Sequence, residues 1–206
     1  MKSDKPPFSK SDVEVIRRET PFDSFLKVDQ LRLRHRLFEG GRSEEIDREL
    51  LVKTPAVGVL LYDPEREEVV MVRQFRVGML DDEDSPWPLE LVAGLVDKDE
   101  TAEQVAIRET SEETGLKANK LTKICTYFNS PGASSEKVHL YCACVDASTA
   151  GGIHGLDHEH EDIQVEVLSA AEAIAAVESG AINNAMSIIA LQWLRLNRDT
   201  LLAGWI

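Results

Sequence analysis

Several features are scarce in this sequence, and each absence argues against a class of protein. Among its 206 residues there are three cysteines, Cys125, Cys142 and Cys144, and they form no CxxC pair. Cys142 and Cys144 alternate along a predicted strand and would project to one face, which does not suggest a disulfide. No apolar run reaches transmembrane length, and the opening MKSDKPPFSKSD lacks the apolar core of a secretion signal. We therefore expect a cytoplasmic protein with reduced thiols.

Positive charge is also scarce. The chain has 23 basic and 37 acidic residues, which gives a formal net charge of −14. This balance argues against binding to nucleic acids or to anionic membranes. It would also repel a phosphorylated substrate, unless metal ions offset the charge. The apolar content of 43% is ordinary, and the length suits one domain with a small extension.

The most informative stretch is residues 94–116, GLVDKDETAEQVAIRETSEETGL. Thr101 and Gln104 have the spacing of a capping box, so a helix should begin near Ala102. Gly115 is a suitable residue to end that helix, because glycine readily adopts the left-handed conformation found there.

The apolar stripe of this predicted helix runs into carboxylates. One face carries residues that recur at steps of three and four, namely Ala102, Val105, Ala106, Glu109 and Glu113. A packed carboxylate without a partner is costly, and a divalent cation with a preference for oxygen ligands would supply one. A solvated helix face with salt bridges is the alternative, and helix geometry alone leaves both open.

The spacing within this stretch resembles the motif of the Nudix hydrolase family. The matching positions are Gly94, Glu100, Arg108, Glu109, Glu112, Glu113 and Gly115. Leu116 fits the aliphatic position that closes the motif, whereas Thr110 stands where an aliphatic residue is usual. The resemblance implies a loop–helix–loop that holds two or more divalent ions, Mg²⁺ or Mn²⁺, for hydrolysis of a diphosphate bond.

The region before residue 54 has a strand-like pattern. Leu31 and Leu33 alternate with Arg32 and Arg34, which is typical of a half-exposed strand, and residues 39–41 predict a turn. We interpret residues 1–53 as a small N-terminal β-stranded domain. It has few large apolar residues, so we expect it to pack on the main domain or on a second subunit.

Residues 54–206 alternate between strand and helix patterns, which favours an α/β fold. Strands are predicted at 56–62, 69–76, 89–93, 121–128, 137–145 and 164–168. Besides the motif helix, Ser169 and Glu172 predict a helix that ends at Gly180, and a last helix is predicted at 184–197. With the resemblance, this pattern implies a Nudix α/β/α sandwich with a mixed sheet.

The resemblance extends over nearly the whole chain and is that of bacterial ADP-ribose pyrophosphatases. Besides the motif, it is carried by RRET at 17–20, RLRHRLF at 32–38, WPLELVAG at 87–94, SPG at 130–132, SGAINNA at 179–185 and IALQWL at 189–194. The resemblance implies hydrolysis of ADP-ribose to AMP and ribose 5-phosphate. It also implies a homodimer whose N-terminal strands reach across to the partner.

The resemblance further implies roles for single residues. The implied metal ligands are Ala93, through its backbone carbonyl, Glu109, Glu113 and Glu161, and Glu159 is the implied general base. We expect Arg108 to pair with Glu112, its i,i+4 neighbour, or with Glu100, and to keep the ligands aligned. Substrate contacts are implied for Arg76, Leu95, Ser130, Pro131, Gly132 and Glu136, and, from the N-terminal domain, for Phe25, Leu26, Arg48, Glu49 and Lys53.

The late acidic loop at 155–162 allows more than one interpretation. If it is extended, Glu159 and Glu161 would point the same way, with His158 and His160 opposite. The two histidines also suggest a zinc site, although no cysteine is nearby in sequence to complete the usual ligand set. A solvated acidic loop is the third alternative.

Two rival functions also remain at the level of sequence. The motif acts on the diphosphate and does not contact the two ends of the substrate. Another nucleoside diphosphate sugar, such as ADP-glucose or GDP-mannose, is therefore the nearest alternative substrate. A non-catalytic binding or regulatory protein of the same fold is the more distant one. Such a protein would not need the motif carboxylates, all of which are present here.

Overall fold

The computed structural model describes residues 7–83, 85–96, 99–156, 158 and 160–205. The chain forms two compact units. One comprises Met1–Thr54 with Phe128–Glu136, and the other comprises Pro55–Tyr127 with Lys137–Ile206. The segment 128–136, which the sequence analysis grouped with the main domain, therefore lies with the first unit.

The first unit contains a three-stranded antiparallel sheet. Its strands are β1 (Val13–Asp23), β2 (Lys27–His35) and β3 (Ile46–Val52), with β2 in the centre. The predicted alternation holds at Leu31, which is buried, and Arg32, which is exposed and pairs with Asp47 on β3, whereas Leu33 and Arg34 are both half-buried. A short 3₁₀ helix, Lys10–Asp12, precedes the sheet, and the chain turns through Gly40 and Gly41, both with positive φ.

The second unit is built on a mixed sheet of eight strands in the part of the chain that is described. The strands are β4 (Ala56–Asp63), β5 (Glu68–Arg73), β6 (Leu89–Glu90), β7 (Val92–Leu95), β8 (Lys120–Phe128), β9 (Lys137–Cys144), β10 (Ile153–His154) and β11 (Ile163–Ser169). The order is β10-β11-β5-β4-β9-β8, with β6 beside β5 and β7 beside β4. The β4–β9 pair is parallel, whereas β4 pairs antiparallel with β5 and β7.

Strand β4 shows why helices cover both faces of this sheet. All eight of its residues are buried, and successive side chains point to opposite faces. Val57, Val59 and Leu61 belong to the core under α1 (Ala102–Thr114). Leu60 and Tyr62 belong to a second core under α2 (Ala170–Ser179) and α3 (Ala185–Trp205). The α/β sandwich expected from the sequence is therefore confirmed.

The last helix is longer than its sequence pattern indicated. Asn184 accepts a hydrogen bond from the Ser187 N–H at its start, as expected. The predicted end at Asn197 is wrong, because the helix continues to Trp205. Its last turns have packing partners of their own. Leu201 is buried, and the Trp205 indole stacks near Tyr62 and donates to Thr122 Oγ1 at 2.9 Å.

Three strand predictions also need correction. The strand predicted to reach Arg76 ends at Arg73, where its pairing with both β11 and β6 stops. The strand predicted at 89–93 is two strands, since the chain crosses at Leu91 from pairing with β5 to pairing with β4. The short strand β10 within the late loop was not anticipated. Two further 3₁₀ helices are Val77–Met79 and Ala147–Thr149.

None of the helices formed by the described residues has both the length and the apolar character needed to cross a membrane.

Candidate active site

Helix α1 begins and ends where its sequence predicts. The Thr101 hydroxyl accepts from the Gln104 N–H at 3.3 Å, and the Gln104 side chain accepts from the Thr101 N–H at 2.8 Å. At the other end, Gly115 adopts a left-handed φ of 68° and donates its N–H to Ser111 O. Local chemistry therefore fixes both ends of the helix that carries the candidate ligands.

The buried face of α1 is apolar at its start and polar at its end. Val105 and Ala106 are fully buried against the sheet. Thr110, which departs from the usual aliphatic residue, is also fully buried, and its hydroxyl donates to Ala106 O at 2.7 Å. Because this hydroxyl has a partner, the departure leaves no unpaired polar group in the core.

Glu109 and Glu113 turn their carboxylates towards strand β7. Glu113 is 1% exposed, and its Oε2 accepts from the Ala93 N–H at 3.3 Å. Glu109 lies against the backbone of Gly94, where an added Cβ would sit 1.9 Å from Glu109 Oε1. Glycine is therefore needed at position 94 to leave room for the carboxylate.

The protonation of both carboxyl groups is strongly perturbed. Burial and the nearby charges of Glu109 and Glu161 raise the pKa of Glu113 to about 9. Burial, with the charges of Glu112 and Glu161, raises the pKa of Glu109 to about 7, although Arg108 opposes the shift. Grouped carboxyl groups resist ionisation, and a bound divalent cation would stabilise their ionised form.

Arg108 binds three carboxylates at once. Its Nε lies 3.1 Å from Glu100 Oε2, and its Nη1 lies 2.7 Å from Glu112 Oε2 and 2.9 Å from Glu109 Oε1. The sequence suggested Glu112 or Glu100 as the partner, and the structure shows both. Partial burial opposes the charge of Arg108, but these carboxylates outweigh it and raise the pKa of the guanidinium. Arg108 thus holds the Glu109 carboxylate from the side.

Arg76 lies just after β5 and not at the end of a strand. Its backbone N–H donates to Pro86 O at 2.7 Å, and its Nε donates to Glu90 Oε2 at 2.6 Å. Its positive charge opposes the rise in the pKa of Glu113. Sequence reasoning did not single out Glu90. The available signal was an acidic residue inside the otherwise apolar run LELVAG.

The late loop brings one predicted ligand to α1. The Glu161 Oε2 accepts from the Leu156 N–H at 3.2 Å, and the charge of Glu161 acts on both Glu109 and Glu113. Gly155, with a φ of 105°, leaves room for Glu161, since an added Cβ would sit 2.7 Å from the Glu161 Cβ. His160 has a φ of 57°, so the chain turns here and the extended geometry considered from sequence is wrong. Glu159 lies outside the described residues.

The residues that converge fit a hard divalent cation, although they do not enclose one. Glu109, Glu113 and Glu161 offer carboxylate oxygens, and the N–H of Ala93 on β7 contacts Glu113. Within the described ranges, no group of three or more His, Cys, Asp or Glu side chains is arranged so that it could hold a metal ion by itself. Mg²⁺ commonly uses one or two protein carboxylates together with waters and substrate phosphates, so an incomplete set suits it. The same finding gives no support to the zinc alternative in the described part of the late loop.

The remaining candidate substrate residues lie in two places. Leu95 is half-exposed on β7, two residues beyond Ala93. Within the first unit, Lys53 Nζ lies 3.9 Å from Glu136 Oε1, and the loop with Ser130, Pro131 and Gly132 is tied to β3 through the Leu51 N–H and Ala133 O. Also in that unit, Phe25, Leu26, Arg48 and Glu49 are exposed.

Comparison with known proteins places this fold and site in a family. The model of the NUDIX domain matches residues 52–187, and the chain belongs to that family. Divalent metal ions are in general use in the family.

Individual relatives are similar over the whole chain or over most of it. The chain is 45% identical to the ADP-ribose pyrophosphatase of Escherichia coli K12, over 96% of this chain and 95% of that protein. It is 36% identical to the GDP-mannose pyrophosphatase of Cronobacter sakazakii, over 72% and 78% respectively. A crystal structure of an ADP compounds hydrolase has the same fold, with a TM-score of 0.72, 22% identity and coverage of 94% and 98%.

Proposed function

We propose that this protein hydrolyses the diphosphate bond of ADP-ribose and releases AMP and ribose 5-phosphate. The observation that supports this proposal is a carboxylate pair, buried Glu113 and partly buried Glu109, in a chain that is 45% identical to an ADP-ribose pyrophosphatase over 96% of its length. The motif accounts for attack on the diphosphate, and the full-length similarity supports the choice of substrate.

The proposed cation is Mg²⁺ or Mn²⁺, with two or more ions held by Glu109, Glu113, Glu161 and the Ala93 carbonyl. Bound there, the ions would offset the charge of the diphosphate, acidify a water and steady the leaving group. Arg108 keeps Glu109 in place through its contacts with Glu100 and Glu112.

The other side chains have proposed tasks at the substrate. Arg76 binds the phosphates, because a guanidinium suits anionic oxygens and its positive charge acts on Glu113. Glu159 accepts the proton of the attacking water, and its position in the late loop would let it arrive when substrate is bound. Leu95, Ser130, Pro131, Gly132 and Glu136 contact the ribose side.

We propose that the first unit serves both dimerisation and substrate binding. Strand β1 is exposed along its whole length and presents Val13, Val15, Ile16 and Phe22 to solvent, which supports a role as an interface with a second copy. In such a homodimer, the first unit would supply the remaining substrate contacts, Phe25, Leu26, Arg48, Glu49 and Lys53.

The proposed compartment is the cytoplasm. The three cysteines are all free, and Cys142 is buried in the core of the second unit. Free thiols are what a reducing compartment maintains.

A coupled phosphatase assay tests the activity directly. The phosphatase releases inorganic phosphate from AMP and ribose 5-phosphate but not from the intact diphosphate. We expect phosphate release from ADP-ribose with Mg²⁺ and none with EDTA. The similarity to a GDP-mannose pyrophosphatase makes GDP-mannose the main competitor, so it belongs in the substrate panel with ADP-glucose. A higher kcat/KM for either would replace ADP-ribose as the substrate.

A further inference from the structure

Arg76 has a proposed role at the substrate phosphates, but its partner Glu90 has no role in the site described so far. We propose that Glu90 is a positioning residue, which orients the Arg76 guanidinium towards the substrate phosphates. This inference rests on the proposed function, because it assumes that Arg76 binds those phosphates. The direct observation is the contact between Arg76 Nε and Glu90 Oε2 at 2.6 Å.

Both backbones of the pair are fixed independently of the side chains. Glu90 lies on β6, where it pairs with Val72 of β5. Arg76 is held by its own N–H, which donates to Pro86 O at 2.7 Å. The flexible part is therefore the arginine side chain, which is 41% exposed, whereas that of Glu90 is only 18% exposed. Glu90 supplies the rigid side of the pair.

The way in which Glu90 binds leaves the useful end of the arginine available. A guanidinium has five N–H donors, and its terminal nitrogens form the fork that suits phosphate oxygens. Among the described residues, the only hydrogen bond from this guanidinium is the one from Nε to Glu90. A carboxylate on Nε limits the rotation of the side chain and does not occupy the fork.

Charge makes the role of Glu90 testable, because its two effects on an anionic substrate have opposite signs. Its negative charge by itself repels the diphosphate, in a chain that already carries a net charge of −14. Its hold on Arg76 favours the diphosphate. If orientation outweighs repulsion, removal of Glu90 weakens catalysis. If repulsion outweighs orientation, removal of Glu90 lowers KM.

The chain contains a matched control pair. Arg73 and Glu166 also form an arginine–glutamate pair through Nε, which lies 2.6 Å from Glu166 Oε1, and this pair has a second hydrogen bond from Arg73 Nη2 to Glu166 Oε2 at 3.3 Å. Arg73 is only three residues from Arg76, and both side chains of the control pair are also partly exposed. Removal of Glu166 therefore reproduces the loss of an arginine–glutamate pair without touching Arg76.

The experiment compares Glu90→Ala, Glu90→Gln and Glu166→Ala with the wild type, by steady-state hydrolysis of ADP-ribose at saturating Mg²⁺. We expect Glu90→Ala to lower kcat/KM by about 10- to 100-fold, the range that misplacement of a binding group produces. Glu90→Gln keeps an acceptor oxygen for Nε, so its activity should lie between those of Glu90→Ala and the wild type. Glu166→Ala should have the kcat/KM of the wild type. Thermal unfolding checks that all three variants fold.

A second comparison links the effect to the arginine. In an Arg76→Ala background, Glu90→Ala should cost little further activity, because its target is already absent. Equal losses in the two backgrounds would overturn the inference, and so would a lower KM for Glu90→Ala or an equal loss in Glu166→Ala. A wild-type protein that does not hydrolyse ADP-ribose would instead overturn the proposed function, which is a separate result.

Discussion

At the scale of single residues, Glu113 is the position where burial and charge conflict most. It is 1% exposed, its pKa is raised to about 9, and a single backbone N–H is its hydrogen-bond partner among the described residues. A folded protein keeps such a group only if something compensates, and here a bound cation is the proposed compensation. The residue therefore links stability to metal binding.

Replacement of Glu113 should separate its effect on stability from its effect on metal binding. Glu113→Gln should keep the fold, because the amide matches the protonated carboxyl in shape, and should strongly reduce turnover at limiting Mg²⁺. Glu103→Gln is the control, since it makes the same substitution on the exposed side of α1 and leaves an acceptor for the Tyr141 hydroxyl. Wild-type turnover in Glu113→Gln at limiting Mg²⁺ would remove the ligand role.

The same variant makes a prediction about pH. The Glu113 carboxyl keeps its proton up to about pH 9 when folded but loses it near its ordinary pKa of 4.5 when unfolded. The folded state thus binds more protons than the unfolded state in this window. The contribution of the Glu113 carboxyl to stability therefore falls as the pH rises. In EDTA, the Tm of Glu113→Gln minus the Tm of the wild type should therefore increase between about pH 5 and pH 9. A difference in Tm that does not change with pH would contradict the buried, protonated carboxyl.

At the scale of elements, glycine at position 94 of strand β7 leaves room for the Glu109 carboxylate of helix α1. A Cβ there would meet the Glu109 carboxylate, which is the mobile end of a side chain, so Gly94→Ala should displace the ligand and leave the fold intact. We expect a higher Mg²⁺ concentration for half-maximal rate and nearly unchanged thermal unfolding. Gly78→Ala is the control, since its Cβ would meet nothing within 4 Å. Equal Mg²⁺ requirements in the two variants would show that the close approach is unimportant.

The late loop is the second element whose role can be tested by itself. Of its two candidate carboxylates, Glu161 acts on Glu109 and Glu113, which supports the ligand role, and Glu159 is left as the proposed base. Glu159→Gln should lower kcat by roughly 10²–10⁴ with substrate binding largely preserved. Glu161→Gln should instead raise the Mg²⁺ concentration needed for half-maximal rate.

The outcome is read from kcat measured against Mg²⁺ concentration for both variants. Reversed behaviour would exchange the two roles. Two variants close to the wild type would return this loop to the interpretation of a solvated acidic surface.

At the scale of the whole molecule, the exposed apolar side chains of β1 are typical of an interface with another subunit. We expect a homodimer in solution, with a mass by light scattering of about twice the 22.9 kDa of one chain. The measurement belongs at micromolar protein, alongside the hydrolysis assay. A fully active monomer under those conditions would contradict a substrate pocket shared between subunits.

The sequence by itself determined the elements whose causes are local. Helix α1 begins at its capping box and ends at Gly115, and α2 begins at Ser169 and ends at Gly180, because side chains a few residues away satisfy the helix ends. The motif spacing likewise predicted which carboxylates of α1 share a face. These features depend on contacts within one or two turns, which a sequence pattern records directly.

Only the tertiary structure decided the features that depend on distant neighbours. Strand β5 ends at Arg73, where its pairing with β11 and β6 stops, and α3 runs on to Trp205, whose indole contacts Tyr62 and Thr122. The requirement for Gly94 appears once Glu109 packs on it, fifteen residues along the chain. The contact of Glu90 with Arg76 follows in the same way from the pairing of β5 with β6, which no local pattern reveals.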